Sequence, residues 1–431
     1  MLYTPVEKSF AEGRATPAPR RAKLTAQTGA LYNRPGKTEA SATYLNKSPP
    51  KHTGPYCLAS EKVWPMKALY PALLGWLFAL SSFAPAEVVL HLPFDKQEDL
   101  ANCTASAGNI SLATEPENIH GGTGALQLAY DPTPYVTITV ANLDIAGAKS
   151  MSVWVKANTR TPLQYTLAEE DGSAYEGLCN IPANQWVNIT ISLADLHLLP
   201  LTDDENNQLD VDQVRTVSFM DLSNMGGEWD RALGKKTGPQ QIWLDELKFD
   251  TAEVAPRATI IDQGATKVSV LADFRDKVLH GLLVGDTALS FVPGASGQQN
   301  DFAAQLQYTI AGWQWSGVVL PVFRAVLTGL REVRLQVRAE RDTRLHVLLE
   351  ENKGTRYEQK VELTGDGQWR LVSARVENFN WDGTSPADEN NQLDVDQVRF
   401  CIIVVDTFNS LPDEQGIGRL AIDNVAFVAQ Q

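Results

Sequence analysis

The chain has 431 residues, 43% of them apolar, and a formal net charge of −15. That is material for two ordinary globular domains, with a surface that repels nucleic acid and anionic lipid and suits neutral ligands or cations. The charge is uneven: the first 67 residues carry 11 Lys and Arg against 4 Asp and Glu, which leaves 26 against 48 for the remainder.

Residues 1–65 are rich in Pro, Thr, Ala, Lys and Arg and show no apolar period, a composition expected to be disordered or to lie upstream of the true start. Met66-Lys67 then opens a basic residue, an apolar run from Leu69 to Phe83, and Ala84-Pro85-Ala86 before Glu87. These are the three parts of a secretory signal peptide. The run is shorter than the roughly 20 residues a spanning helix needs. The expectation for 66–86 is a cleaved signal and a secreted, periplasmic or cell-surface protein with no other membrane segment. An uncleaved anchor with a basic cytoplasmic tail is the alternative.

Farther on, Asp204–Arg215 reads DENNQLDVDQVR, and Asp388–Arg399 repeats it residue for residue at an offset of 184. Other matches run close to that offset. Val155-Lys156-Ala157 matches Val337-Arg338-Ala339, and Gly172, Tyr175 and Glu176 match Gly354, Tyr357 and Glu358, all at 182. Trp186 matches Trp369 at 183, while Gln127-Leu128 and Ile242–Phe249 match Gln305-Leu306 and Leu420–Phe427 at 178. A unit of roughly 165 residues is a domain, too long for a solenoid or propeller repeat. The expected layout is one repeat at 87–252, a linker at 253–267 and a second repeat at 268–431.

Period-two alternation dominates both copies. Met151, Val153 and Val155 alternate with Ser152, Trp154 and Lys156, and Val333, Leu335 and Val337 alternate with Arg334, Gln336 and Arg338. The same beat runs through Leu163-Tyr165-Leu167, Leu345-Val347-Leu349, Val187-Ile189-Ile191 and Val217-Phe219. Short segments of this kind, separated by Gly, Asp, Asn and Pro turns, predict an all-β chain of two tandem antiparallel sandwiches with no sustained amphipathic helix. In the dodecamer, Asp210 and Asp394 each stand three residues before Gln, the spacing of a capping box, which predicts a single helical turn feeding a strand. An EF-hand is a poor fit, because Leu209 stands where that loop needs Gly and Arg215 where it needs a bidentate Glu. Cys103 and Cys179 share the first repeat and are candidates for a disulfide, whereas Cys401 reads as a buried thiol.

The Phe94-Asp95 strand, the segment His120-Gly121-Gly122-Thr123-Gly124-Ala125-Leu126-Gln127-Leu128, the Ser152–Ala157 strand, the Trp186 strand and Ile242–Leu247 together resemble galactose-binding-like jelly rolls. Within these they are most similar to carbohydrate-binding modules of the family-eleven and family-four type. The resemblance covers most of 87–250 and, more loosely, 268–430. The second copy departs early: Asp273 precedes Phe274, and Asn300–Leu306 replaces the Gly-rich segment. The resemblance implies a structural Ca2+ where first and last strands meet, held by Asp95 with Asp245 and by Asp273 with Asp423.

A saccharide site needs aromatic faces and planar polar groups. Trp186, Trp369 and Trp243 read as packing residues. On the non-core face, Trp154, Lys156 and Gln164 in the first copy and Gln336, Arg338 and His346 in the second would line a shared groove, with Trp229, Trp313, Trp315 and Trp381 as further platforms. No nucleophile elbow, HExxH, P-loop or dinucleotide fingerprint occurs, so catalysis is not expected. The leading expectation is a non-catalytic poly- or oligosaccharide-binding protein. Its rivals are a structural or protein-interaction scaffold and an accessory part of a polysaccharide-degrading system.

Overall fold

The computed structural model describes residues 87–199, 202–226, 228–255, 259–309, 315–406 and 416–430. The expected leader and signal, 1–86, lie outside them, as does Trp313. Among the described residues no helix is long and apolar enough to cross a membrane.

The first repeat is built from β1 (Val88–Leu92), β2 (Cys103–Ala105), β3 (Asn109–Ala113), β4 (Ala125–Tyr130), β5 (Val136–Ala141), β6 (Ser150–Ala157), β7 (Thr161–Glu169), β8 (Ala174–Ile181), β9 (Val187–Ser192), β10 (His197–Leu198), β11 (Val214–Asp221) and β12 (Gln240–Asp250). They form two antiparallel sheets: A1, in the order β3-β4-β12-β6-β9 with β1 also on β12, and B1, in the order β10-β8-β7-β11-β5-β2. The second repeat follows the same plan with β13 (Thr259–Asp262), β14 (Thr266–Ala272), β15 (Leu282–Val284), β16 (Thr287–Pro293), β17 (Phe302–Thr309), β18 (Trp315–Pro321), β19 (Leu330–Ala339), β20 (Thr343–Glu351), β21 (Arg356–Leu363), β22 (Arg370–Arg375), β23 (Asn380–Trp381), β24 (Val398–Asp406) and β25 (Ile417–Gln430). Its sheet A2 runs β13-β14-β25-β17-β16, with β19 on the other side of β25 and β22 beyond it; sheet B2 runs β15-β18-β24-β20-β21-β23. The all-β tandem expected from the alternation is what forms. One boundary differs: the segment read as a linker contains β13, which pairs with β14.

The alternating apolar residues make the two cores. Met151, Val153, Val155, Leu163, Tyr165, Leu167, Val217 and Phe219 fall in one buried cluster, and Val333, Leu335, Val337, Leu345, Val347, Leu349, Cys401 and Ile403 in another. Full burial of each such side chain is worth roughly 1.5–3 kcal/mol. The duplication also holds at the level of register. Leu128 pairs with Ile242 and Val155 with Leu244; Leu306 pairs with Leu420 and Val337 with Ile422. Buried Phe94 and Phe274 both sit at positive φ, 57° and 52°, despite their reversed order with Asp. Glu246 and Asn424, at φ 53° and 50°, mark matching bulges in the closing strands β12 and β25.

Cys103, Cys179 and Cys401 form no disulfide. Cys103 lies on β2 at one edge of B1, and Cys179 on β8 near the other, with β5, β11 and β7 between them. Four strand spacings of about 4.8 Å separate them, far beyond a disulfide's reach.

Gly177 lies directly across from Tyr165 on β7, and a Cβ there would fall inside the buried phenol ring; Gly418 faces Tyr308 in the same way. A larger residue must displace a core ring, at about 1–3 kcal/mol. Gly177→Val should therefore lower the melting temperature followed by circular dichroism by roughly 2–10 °C. An unchanged melt would mean that the Tyr165 ring has room to move.

Candidate functional site

Residues facing away from the core of B2 bring aromatic and charged groups together. Leu348, Ile402 and Val404 form an apolar floor, and Trp315, Val319 and Phe400 pack on it. The Trp315 ring lies 5.9 Å from His346 and has the Arg356 guanidinium 5.6 Å from its centroid. His346 is held between two carboxylates, Glu358 at 2.8 Å on Nδ1 and Asp406 at 3.0 Å on Nε2. Burial pushes the Glu358 carboxyl up, but bonds from His346 and Lys360 outweigh it and leave the group below its ordinary range. The Lys360 side chain is 51% exposed at 2.8 Å from Glu358. Arg356 is fixed from behind by Asp382 at 3.1 Å, which itself accepts from the Thr384 and Ser385 amides. Arg356, Glu358 and Asp406 were not among the sequence candidates. For Glu358 the signal was present, since Glu176 and Glu358 match at the repeat offset.

The equivalent face of B1 carries the same cross-strand pair in another form. Gln164 Nε2 donates to Glu176 Oε2, as His346 bonds Glu358. Both pairs are largely buried: Gln164, Glu176, Leu178 and Asn180 are at most 5% exposed, and His346 is 4% exposed. Val319 is replaced at the matching register by Thr139, and Leu348 by Thr166.

The single groove expected for Trp154, Lys156 and Gln164 does not exist, because the chain crosses from one sheet to the other between β6 and β7. Trp154 and Lys156 lie on the outer face of A1, and Gln164 on that of B1. Gln336 and Arg338 on A2 are likewise separated from His346 on B2. The A1 face is covered by the 115–124 segment. His120 stacks on Trp154 with centroids 3.5 Å apart, and Lys156 is only 8% exposed. Its ammonium donates to the Glu117 carbonyl at 2.6 Å and to Asn118 at 3.1 Å, and sits 5.0 Å from the Trp243 ring centroid. Arg338 stands 5.0 Å from the Trp369 ring centroid. Trp229 belongs to the short helix α1 (Glu228–Leu233) rather than to a loop. Trp381 is on β23 opposite core-facing Tyr357, so it points to the inner side of the sheet edge, where it is 41% exposed.

Asp95 and Asp245 converge on one loop. Asp245 Oδ2 accepts from the His120 and Gly121 amides at 2.8 and 2.9 Å, while Asp95 Oδ1 accepts from the Thr123 and Gly124 amides. Asp245 is fully buried; its Oδ1 makes no full hydrogen bond, although the Glu246 amide also bears on the carboxylate. Burial raises its pKa, whereas the Thr123 amide lowers that of Asp95. The second copy fits a cation less well. Asp423 has one oxygen on the Ala295 amide and the other on that of Asn424, and Asp273 pairs with Arg275 at 3.2 Å.

The dodecamers form the 3-10 turns Val211–Gln213 and Val395–Gln397, but the capping-box bonds are absent. The Asp210 and Asp394 side chains bond Gln213 and Gln397 instead, and their own amides donate to Glu169 and Glu351 at 2.5 and 2.6 Å. Tyr175 and Tyr357 hydroxyls donate to Asp204 and Asp388. Each dodecamer thus wraps a buried glutamate at the end of β7 or β20. The carboxylates of Glu169, Asp171 and Asp204, and of Glu351, Asp388 and Asp394, lie within 4.8 Å of one another, close enough to share an ion.

No family model matches the chain, and no curated protein matches it. Among solved structures, the chain is similar to the family 11 carbohydrate-binding module from Clostridium thermocellum in complex with a β-1,3-1,4-mixed-linked tetrasaccharide. The identity is 15% over 38% of this chain and 94% of that one, with a TM-score of 0.29. It is also similar to the CBM22-1–CBM22-2 tandem domain of Xyn10C from Paenibacillus barcinonensis, at 13% identity over 80% of this chain and 97% of that one, with a TM-score of 0.26. At these scores the likeness says nothing about this chain's own ligand.

Burial first, then Asp388 and Asp394, raise the Glu351 pKa. A carboxyl raised on folding contributes stability that is complete below its unfolded value and lost as pH rises through the folded one. Glu351→Gln keeps an acceptor for the Asp394 amide and removes the charge. It should raise the melting temperature at pH 7 and leave it nearly unchanged at pH 4. Melts of both proteins across this range decide the matter.

Proposed function

We propose that this chain is a saccharide-binding protein whose site is the outer face of B2. The observation that carries the reading is the Trp315 ring set between the His346–Glu358–Asp406 cluster and the Arg356 guanidinium. A flat aromatic surface takes the apolar side of a pyranose, and buried planar polar groups around it discriminate hydroxyls. The reading includes no catalysis. Glu358 and Asp406 are both bonded to His346, unlike the two independent carboxyls that flank a scissile glycosidic bond. Secretion belongs to this proposal, with the apolar run 69–83 and its A-x-A site as support. An accessory role in a polysaccharide-degrading system is the form in which such a module would serve.

Trp315→Ala should weaken retention by soluble polysaccharides in affinity electrophoresis, or signals on a glycan array, roughly tenfold or more. Trp381→Ala should change neither, because its ring lies on the other side of the sheet. Binding unaffected by Trp315→Ala, or absent from every glycan tested, would reject the site. A scaffold role would gain ground if a protein partner were recovered instead.

In the first repeat, Asp95 and Asp245 would hold the proposed Ca2+, the buried Oδ1 of Asp245, without a full hydrogen bond, being its support. Ca2+ in the millimolar range should raise the melting temperature by several degrees. Asp245→Asn should abolish that shift; a shift that survives it places the ion elsewhere.

A further inference from the structure

We propose that the outer face of B1 is a dock for the second repeat and not a second ligand site, so that the chain presents one binding face. The statement about ligands rests on the saccharide-binding reading above; the docking itself does not. Both faces carry the same cross-strand polar pair at the same register, Gln164 with Glu176 and His346 with Glu358. In the second repeat that pair lies beside Trp315, Arg356 and the half-exposed Lys360. In the first it has an occupant from within the chain. Arg399, the last residue of the second dodecamer, forms an ion pair with Glu176, the two side chains being 10% and 5% exposed. Burial lowers the Arg399 pKa to about 10, so its charge is retained at neutral pH, and a planar guanidinium against a carboxylate and an amide offers the donors that ligand hydroxyls would otherwise supply.

The neighbouring contacts extend the dock. The Asn180 amide donates to the Leu279 carbonyl at 3.2 Å, and the Gly285 amide to that of Ala232 at 2.7 Å. Arg160 reaches the carbonyls of Gly285 and Thr287, and His197 stacks on Phe323 at 5.6 Å. Val278 packs on the core of the first repeat. The two sandwiches accordingly fall in one compact unit. A rigid dock also removes the gain that two independent sites on a flexible linker would bring.

Two measurements test this on the full chain. Leu178→Cys, on the covered face, should react with a maleimide at least 100-fold more slowly than Leu371→Cys, which replaces a residue 64% exposed, when both sites are followed by peptide mass spectrometry. Adding Arg399→Glu, which places like charges together at Glu176, should speed the Leu178→Cys reaction at least tenfold. Equal rates for the two cysteines would overturn the dock whether or not any saccharide binds. Should the cysteine variant fail to fold, hydrogen exchange at the Asn180 amide of the unsubstituted protein makes the same comparison, protection supporting the dock and free exchange rejecting it. Native mass spectrometry with a β-1,3-1,4-mixed-linked tetrasaccharide as probe then reads the valency. One bound copy, lost in Trp315→Ala, supports a single face, and two copies overturn it. No bound copy counts against the saccharide reading for this probe and leaves the dock to the labelling rates.

Discussion

In each sandwich the closing strand pairs with three others, so its placement decides where every other element of its sheet can lie. β12 takes β4 and β1 along one side and β6 along the other; β25 takes β17, β14 and β19 in the same way. A strand so committed cannot shift register without turning its apolar residues outward. The bulge at Glu246 or Asn424 relaxes the pattern at matching positions in the two copies, and it sets a fully buried Asp on the outer face just before it. Asp245 then anchors the 120–121 backbone and Asp423 that of 295. Through this anchor the closing strand also determines the loop that puts His120 on Trp154 and covers the A1 face.

The dodecamer shows a second kind of dependence. In each copy its Asp210 or Asp394 amide bonds a buried glutamate 41 or 43 positions earlier in the chain, on β7 or β20. Amide, hydroxyl and carboxylate contacts converge there from Asp204 or Asp388, Asp210 or Asp394, and the tyrosine of the next strand. At the residues that make these contacts a substitution leaves a buried glutamate or its bonded partners without part of their hydrogen bonding. On the outer faces of B1 and B2 the copies differ, with Thr139 and Thr166 in the first where the second has Val319 and Leu348.

Much of the fold was legible in the sequence because alternation reports which side of a strand faces the core, and because repeat offsets translate into register. Val155 and Val337 find equivalent partners, as their matching predicts. Alternation does not say which sheet a strand joins. Trp154 and Gln164 both read as outward, yet they face away from opposite sides of one sandwich. The same blindness made Cys103 and Cys179 look like partners, although four strand spacings part them. His346 and Trp315 were legible as candidates. Arg356 and Asp406 were not, because their roles come from Asp382 on a distant turn and from a neighbouring strand, contacts that no local pattern encodes.

Duplication ordinarily yields two equal sites, and here the physics favours division of labour. A polar face of threonine, glutamine and glutamate offers hydrogen-bonding groups but little apolar area, so it suits a rigid protein surface that supplies a guanidinium and backbone carbonyls. A face on which Trp315, Val319 and Phe400 pack over buried Leu348, Ile402 and Val404 sets an aromatic ring beside His346 and Arg356. Once Arg399 had a buried partner in Glu176, loss of either residue would leave a desolvated charge uncompensated, a strongly unfavourable state. That coupling ties Glu176 of the first face to Arg399 of the second repeat.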